Sequence, residues 1–265
     1  MSIDPEKFLV IAGPCLAESH DVVKESVETL LEATSGLNVQ LVFKASYRKA
    51  NRTSADSFSG IGDEIALGLL KDVREKYGVP VLTDFHSAEE AAIAANSCDV
   101  LQVPAFLSRQ TDILQAAART GKIVNIKKGQ FMAPEDAAKA AQKIIAEGNN
   151  NVWLTERGVS FGYHDLVVDF RSLVVMKQSG FPVIYDATHS VQQPSLGAQS
   201  GGKREFIPAL ARAAVATGID GIFFETHPDP AKAKSDSATQ LALKDATAFL
   251  KNIVELHEFC KRNSF

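Results

Sequence analysis

Eight short runs rich in Val, Ile and Phe, each separated from the next by an amphipathic stretch, constrain this chain more than any other feature. They are Phe8–Pro14, Val39–Lys44, Val79–Asp84, Val100–Phe106, Ile123–Lys128, Val152–Arg157, Val183–Asp186 and Gly221–Glu225. The runs are almost continuously apolar and mostly lack two-residue hairpin signals, which is how parallel strands covered on both faces read. Between them apolar residues recur at helical spacing, as in Val22, Val23, Val27, Leu30 and Leu31, or Ile65, Leu69, Leu70 and Val73. Ser19 and Ser108 read as helix caps, and Pro134 followed by Glu135 and Asp136 reads as a first helical turn. Eight strand–helix units in 265 residues predict a single α/β domain over residues 1–265, closed into a (βα)8 TIM barrel in preference to an open doubly wound sheet. No GxGxxG opens the first helix, which weighs against dinucleotide binding. The polar stretch Gln192–Lys203, with Gly197, Gly201 and Gly202, is long for a βα loop and reads as a mobile lid.

A hydrophobic content of 45% supplies a full core, and a formal charge of −4 leaves no net basic character with which to replace the counterions of nucleic acid. Any anion site must therefore be local. No apolar run approaches the roughly 20 residues that a membrane helix needs, so no membrane partner is expected. Met1–Lys7 is polar and acidic and has no signal-peptide pattern. Cys15, Cys98 and Cys260 are odd in number and scattered, which suggests a reducing compartment and no disulfide framework. A cytoplasmic protein is the expectation.

Polar groups gather where the strands end. Strand one runs into Gly13, Pro14 and Cys15, strand two into Lys44, Lys49, Asn51 and Arg52, and strand three into Asp84 and His86. Strand four carries Gln102, strand five Lys127, Lys128 and Gln130, strand six Glu156 and Arg157, strand seven Asp186 and His189, and strand eight Glu225 and His227. The strand starts are mostly neutral or apolar, and the C-terminal end of a (βα)8 barrel is where active sites are built. A single lysine just past a strand is most often a solvated loop residue. Five or six cations converging on one face of an acidic protein instead imply an anionic ligand with more than one phosphate or carboxylate. Arg157 suits bidentate phosphate binding, and Lys44, Lys49 and Lys127 act as point charges or donors. Barrel closure would also bring together Cys15, His189, Glu225 and Asp236, a set suited to a divalent first-row ion. Each has an ordinary structural account when taken alone. Cys98 and Cys260 read as structural, and His20, His164 and His257 as non-catalytic.

An ordered series of motifs spans nearly the whole chain: IAGPCLAES at Ile11–Ser19, FKASYRKANRTS at Phe43–Ser54, TDFH at Thr83–His86, QVPAFLSRQTD at Gln102–Asp112 and NIKKGQF at Asn125–Phe131. It continues with LTERGVSFGY at Leu154–Tyr163, YDATHSVQ at Tyr185–Gln192, SGGKREF at Ser200–Phe206, FETHPDP at Phe224–Pro230 and SDSATQL at Ser235–Leu241. This series resembles the 3-deoxy-D-manno-octulosonate-8-phosphate synthase family. The resemblance implies a tetrameric barrel enzyme that joins phosphoenolpyruvate to arabinose 5-phosphate, releases phosphate and supplies the sugar acid of lipopolysaccharide. A sister family uses erythrose 4-phosphate and resembles Lys-Pro-Arg-Thr-Ser in the loop after strand two. This chain reads Lys49-Ala50-Asn51-Arg52-Thr53 there, the form that looks like the pentose-phosphate binder, with Thr53 where the family more often has serine.

By the same resemblance Lys127 and Arg157 hold the phosphate of phosphoenolpyruvate, Lys44 lies near its carboxylate, and Gln102, Ala105 and Gln130 line the site. Lys49, Asn51, Arg52 and Thr53 engage arabinose 5-phosphate, and Arg109 reaches the sugar phosphate of a neighbouring subunit. Lys44, Lys49, Asp84, His86 and His189 are the catalytic candidates. Cys15, in the place where other members carry asparagine, implies the metal-dependent class, with Cys15, His189, Glu225 and Asp236 holding Fe²⁺, Zn²⁺, Mn²⁺ or a similar ion. Whether the ion activates the aldehyde or orients the water is open. Two rivals are a Schiff-base aldolase with Lys127 or Lys44 as the amine and a non-catalytic phosphosugar sensor.

Overall fold

The computed structural model describes residues 4, 6–51, 58–194 and 200–263. Eight parallel strands form the sheet: β1 Phe8–Gly13, β2 Val39–Lys44, β3 Val81–Asp84, β4 Val100–Val103, β5 Ile123–Lys127, β6 Val152–Glu156, β7 Val183–Asp186 and β8 Gly221–His227. Each pairs with its sequence neighbour, and β8 returns to β1 in register from Leu9↔Gly221 to Gly13↔Glu225. The sheet is therefore a closed barrel. Outside it lie α1 His20–Thr34, α2 Asp63–Tyr77, α3 Ala88–Ser97, α4 Thr111–Arg119, α5 Pro134–Ile145, α6 Arg171–Lys177, α7 Ile207–Ala216 and α8 Ala246–Arg262.

Alternation along each strand separates two cores. Leu9, Ile11, Val42, Leu82, Val100, Trp153, Ile184 and Phe223 pack together, with Ile123 against them, to fill the barrel. Their neighbours Val10, Ala12, Leu41, Phe43, Val124, Ile126, Ile222 and Phe224 belong to the larger core that the helices cover. The inward set, continued by twos towards the C-terminal ends, reaches Lys44, Asp84, Gln102, Lys127, Asp186 and Glu225. The packing that closes the barrel thus also aims these side chains at one mouth.

The eight expected strands are present, with shifted ends. Pro80 precedes β3 and Pro104 follows β4, each lacking the N–H that a ladder needs. Ser19 caps α1, its hydroxyl accepting from Val22 N at 3.2 Å, and Pro134 starts α5. Ser108 is not a cap: its hydroxyl donates to Ala105 O at 2.8 Å within a short 3₁₀ turn, and α4 begins only at Thr111. Two short antiparallel ladders escaped the sequence reading, Val159–Ser160 with Leu166–Val167 and Gln192–Gln193 with Gly201–Gly202. The second ties together the two ends of the stretch expected to be a lid, whose residues 195–199 lie outside the described residues.

Candidate active site

One cavity of about 460 Å³ opens at the C-terminal mouth of the barrel. Its walls include Lys44, Lys49, Asn51, Asp84, His86, Gln102, Ala105, Lys127, Gln130, Arg157, His189, Glu225 and Asp236. Cys15 is buried beside it, its Sγ 3.1 Å from Asp236 Oδ2. Arg109 is the described candidate that the fold does not bring there: it is exposed, and its carbonyl accepts from Lys143 Nζ at 3.2 Å. Arg52 and Thr53 lie outside the described residues.

The cationic side is built on β5 and β6. Lys127 Nζ pairs with Asp186 Oδ2 and lies 3.3 Å from the centre of the Phe223 ring. Burial is the main reason that its pKa falls to about 8. The Arg157 Nη2 donates to Gln192 Oε1 at 3.0 Å, whereas Nη1 is buried and finds no partner among the described residues. An unsatisfied buried guanidinium nitrogen is costly in isolation, and an anion in the cavity would satisfy it. The arginine is held from behind by Glu156, which accepts from Arg157 N at 3.0 Å, Gly158 N at 2.6 Å and the Ser172 hydroxyl at 2.9 Å. Lys128, turned outward from the barrel, lies 3.5 Å from the same carboxylate and is buried. Its role is therefore to support the site from the helix side. Gln102 is fixed by Asn125 Nδ2 at 3.0 Å, and Asn125 in turn accepts from the Thr155 hydroxyl at 2.6 Å.

The acidic side is built on β1, β7 and β8. The pairing of β1 with β2 places Gly13 beside Lys44, where an added Cβ would stand 2.1 Å from Lys44 O. Only glycine permits that approach, and it lets Lys44 Nζ donate to Cys15 O at 2.9 Å while pairing with Glu225 Oε1. His189 Nδ1 bonds to Asp186 Oδ2 at 2.8 Å, leaving Nε2 at 3.7 Å from Asp236 Oδ2 and 3.8 Å from Glu225 Oε1. Burial works against charge on His189, but Asp186 and Glu225 outweigh it and raise the pKa. The Cys15 thiol is pushed well above its ordinary value by burial, then by Asp236 and Glu225.

Cys15, Glu225 and Asp236 each offer one ligand atom, and these atoms lie within 4.8 Å of one another. Glu225 Oε2 is buried without a partner among the described residues. A thiol, two carboxylates and an imidazole oriented by a carboxylate form the donor set and outer support that a divalent first-row ion requires. The orphaned oxygen and the clustered acids fit such an ion.

Several residues that shape the site had no assigned role in the sequence reading. Asp186 stands at a strand end and joins Lys127 to His189. Gln192 bridges Arg157 and Asp236, and Gln240 Oε1 accepts from Cys15 N at 3.1 Å. Glu90, on α3, accepts from Tyr47, Arg48 and His86. Gln192 and Gln240 sit in the YDATHSVQ and SDSATQL motifs, which is the signal that marked them; Glu90 carried none.

Comparison with known proteins gives the same picture over nearly the full length. A protein from Geotalea uraniireducens named 2-dehydro-3-deoxyphosphooctonate aldolase is 53% identical over 255 residues, covering 96% of this chain and 94% of that protein. Proteins of the same name from Trichlorobacter lovleyi and Methylobacterium radiotolerans are 53% and 54% identical, covering 94% and 96% of this chain and 92% and 91% of their own. The model of the DAHP synthetase I family matches residues 4–262, and with its barrel and the groups at its mouth the chain belongs to that family.

Proposed function

We propose that the protein condenses phosphoenolpyruvate with D-arabinose 5-phosphate and water, giving 3-deoxy-D-manno-octulosonate 8-phosphate and inorganic phosphate. The observation that carries this reading is a single cavity lined both by Lys127 with Arg157 and by Lys49 with Asn51, beside Cys15, Glu225 and Asp236, whose ligand atoms lie close enough to hold a metal ion. Two phosphorylated substrates need two such pairs. The names of the relatives favour the octulosonate product, as does the Lys49–Thr53 loop, whose asparagine form at Asn51 resembles the pentose-phosphate binder and not the Lys-Pro-Arg-Thr-Ser of the erythrose 4-phosphate family.

Lys127 and Arg157 bind the phosphoenolpyruvate phosphate, with the unpartnered Nη1 as one donor. Lys44 lies near the carboxylate, and Gln102, Ala105 and Gln130 shape the wall. Lys49, Asn51, Arg52 and Thr53 receive the sugar phosphate. C3 of the enol attacks the aldehyde carbon, water adds at C2, and the resulting hemiketal phosphate loses phosphate by C–O cleavage. The protein contributes position, charge that binds both anions, and proton traffic through Asp84, His86 and His189. Cys15, His189, Glu225 and Asp236 would hold Fe²⁺, Zn²⁺, Mn²⁺ or a similar ion, which as a Lewis acid can polarise the aldehyde or orient the water.

Arg109, exposed and outside its own cavity, serves a neighbour's sugar phosphate in a homotetramer. Exposed aromatic side chains on the loops after β4, β5 and β6, among them Phe106, Phe131 and Phe161, support burial of this end between subunits. No helix among the described residues is long and apolar enough to cross a membrane. A reducing cytoplasm keeps Cys15 available as a thiol. Phosphate release from phosphoenolpyruvate, assayed with arabinose 5-phosphate beside erythrose 4-phosphate, tests the assignment. A much higher kcat/KM with the pentose phosphate is expected, and equal values would refute it.

A further inference from the structure

Gln192 follows the short 3₁₀ turn His189–Val191, and its side chain reaches two groups with different tasks. Its Oε1 accepts from Arg157 Nη2 at 3.0 Å, and its Nε2 donates to Asp236 Oδ1 at 3.0 Å. The amide has only one workable orientation, because a flip would set its oxygen against a carboxylate and its NH₂ against a guanidinium. In each case Gln192 takes the atom that the ligand does not need. Arg157 keeps the buried, unpartnered Nη1, and Asp236 keeps Oδ2, which faces Cys15 Sγ at 3.1 Å and His189 Nε2 at 3.7 Å.

The backbone of Gln192 is fixed as well. It pairs with Gly202, and a Cβ on Gly202 would lie 2.0 Å from Thr239 Cγ2. The base of the loop after β7 is thus pressed against the turn that carries Asp236, whose carbonyl accepts from Thr239 N at 3.0 Å. A ligand that fixes the guanidinium at Nη1 also fixes Gln192, and through it the carboxylate. A cation that fixes Oδ2 acts in the reverse direction.

We infer that Gln192 couples the phosphate site to the metal-ligand cluster, so that filling either one raises affinity at the other. The inference rests on the reading of Arg157 as a phosphoenolpyruvate ligand and of Asp236 as a metal ligand. The second ligand to arrive meets a partner already ordered, which lowers the cost of binding it. Such coupling is reciprocal and must be the same factor measured from either side.

The test uses full-length metal-free enzyme without arabinose 5-phosphate, so that no turnover occurs. Zn²⁺ is titrated in competition with a chromophoric chelator, with and without saturating phosphoenolpyruvate; phosphoenolpyruvate is titrated with and without Zn²⁺. The unmodified protein is expected to give one common factor of about tenfold in both experiments, inside the usual range for coupled sites. In Gln192→Leu, and in the shorter Gln192→Asn should the leucine variant not fold, each ligand still binds alone but the factor falls towards one. Variants that keep the full factor, or unmodified protein in which the two ligands bind independently, overturn the coupling while leaving both sites standing. Failure of Zn²⁺ to bind the unmodified protein overturns the coupling together with the metal reading.

Discussion

Replacing Glu90 by glutamine should weaken the acceptor side of the site and spare the phosphoenolpyruvate side. Glu90 Oε2 accepts from the Tyr47 hydroxyl and from His86 N at 2.8 Å and lies 3.3 Å from His86 Nδ1, and Oε1 accepts from Arg48 Nη2. His86 N on one oxygen and Arg48 Nη2 on the other can only donate, so the NH₂ of a glutamine must oppose a donor wherever it points. The cheaper choice turns it towards Arg48, because the other opposes the His86 backbone N–H and also forces the Tyr47 hydroxyl and the His86 ring to reverse their roles. A hydrogen bond to a charged group contributes about 1.5–3 kcal/mol, and Arg48, with 34% of its side chain exposed, recovers part of that from water. The remaining loss is about 1–1.5 kcal/mol, or roughly tenfold in affinity.

Tyr47 and Arg48 form the base of the loop that carries Lys49 and Asn51, and His86 lines the same cavity. The KM for arabinose 5-phosphate should therefore rise about tenfold while that for phosphoenolpyruvate changes less than about twofold. Steady-state kinetics with each substrate varied in turn measures both. Circular dichroism should show an intact fold with a fall in Tm of a few degrees, about 2–4 °C per kcal/mol at this size. Equal rises in the two KM values, or an unchanged acceptor KM in the folded variant, would refute the reasoning.

Lys127, depressed to about 8 chiefly by burial, carries its charge below that pH and loses it above, so kcat/KM for phosphoenolpyruvate should fall as pH rises through about 8. A flat profile from pH about 7 to about 9.5 would contradict this, since kcat/KM reports the free enzyme. Chelation should abolish turnover, with Mn²⁺, Fe²⁺, Co²⁺ or Zn²⁺ restoring it to differing degrees. Because burial and two carboxylates raise the Cys15 pKa, metal affinity measured directly should weaken as pH falls and the thiol must give up its proton to bind. Cys15→Ala should lose much of that affinity, whereas Cys15→Asn should show weak metal-independent turnover if the ion mainly orients aldehyde and water. Arg109→Ala should raise the acceptor KM with the fold intact, and hybrid tetramers with an Arg52→Ala subunit should regain part of the activity; hybrids shown to form but inactive would sink the shared site.

The eight near-continuous apolar runs made the barrel legible, and the alternation within them that fills its interior with Ile11, Val42 and Phe223 delivers Lys44, Lys127 and Glu225 to its mouth. The strand ends were therefore readable as a set before any contact was known. Most partners of those groups were not readable, because strand pairing and loop packing bring them together from distant parts of the sequence. Asp186 meets Lys127 from another strand while holding His189 three residues along its own chain, and Glu90 joins two loops from the first turn of a helix. Ser108 misled because a serine before a helix can as readily close a tight turn on its own backbone as cap the helix. The short ladders at Val159–Val167 and at Gln192 carry only two residues per strand, too few to form an apolar run.

The condensation itself is tested most directly by ³¹P NMR on phosphoenolpyruvate labelled with ¹⁸O in the bridging C–O–P position. The measurement is made with enzyme, metal and arabinose 5-phosphate, and repeated without the aldehyde. Phosphate carrying the bridging ¹⁸O should appear, formed only when arabinose 5-phosphate is present. Unlabelled phosphate, or release that proceeds equally well without the aldehyde, would contradict the proposed reaction.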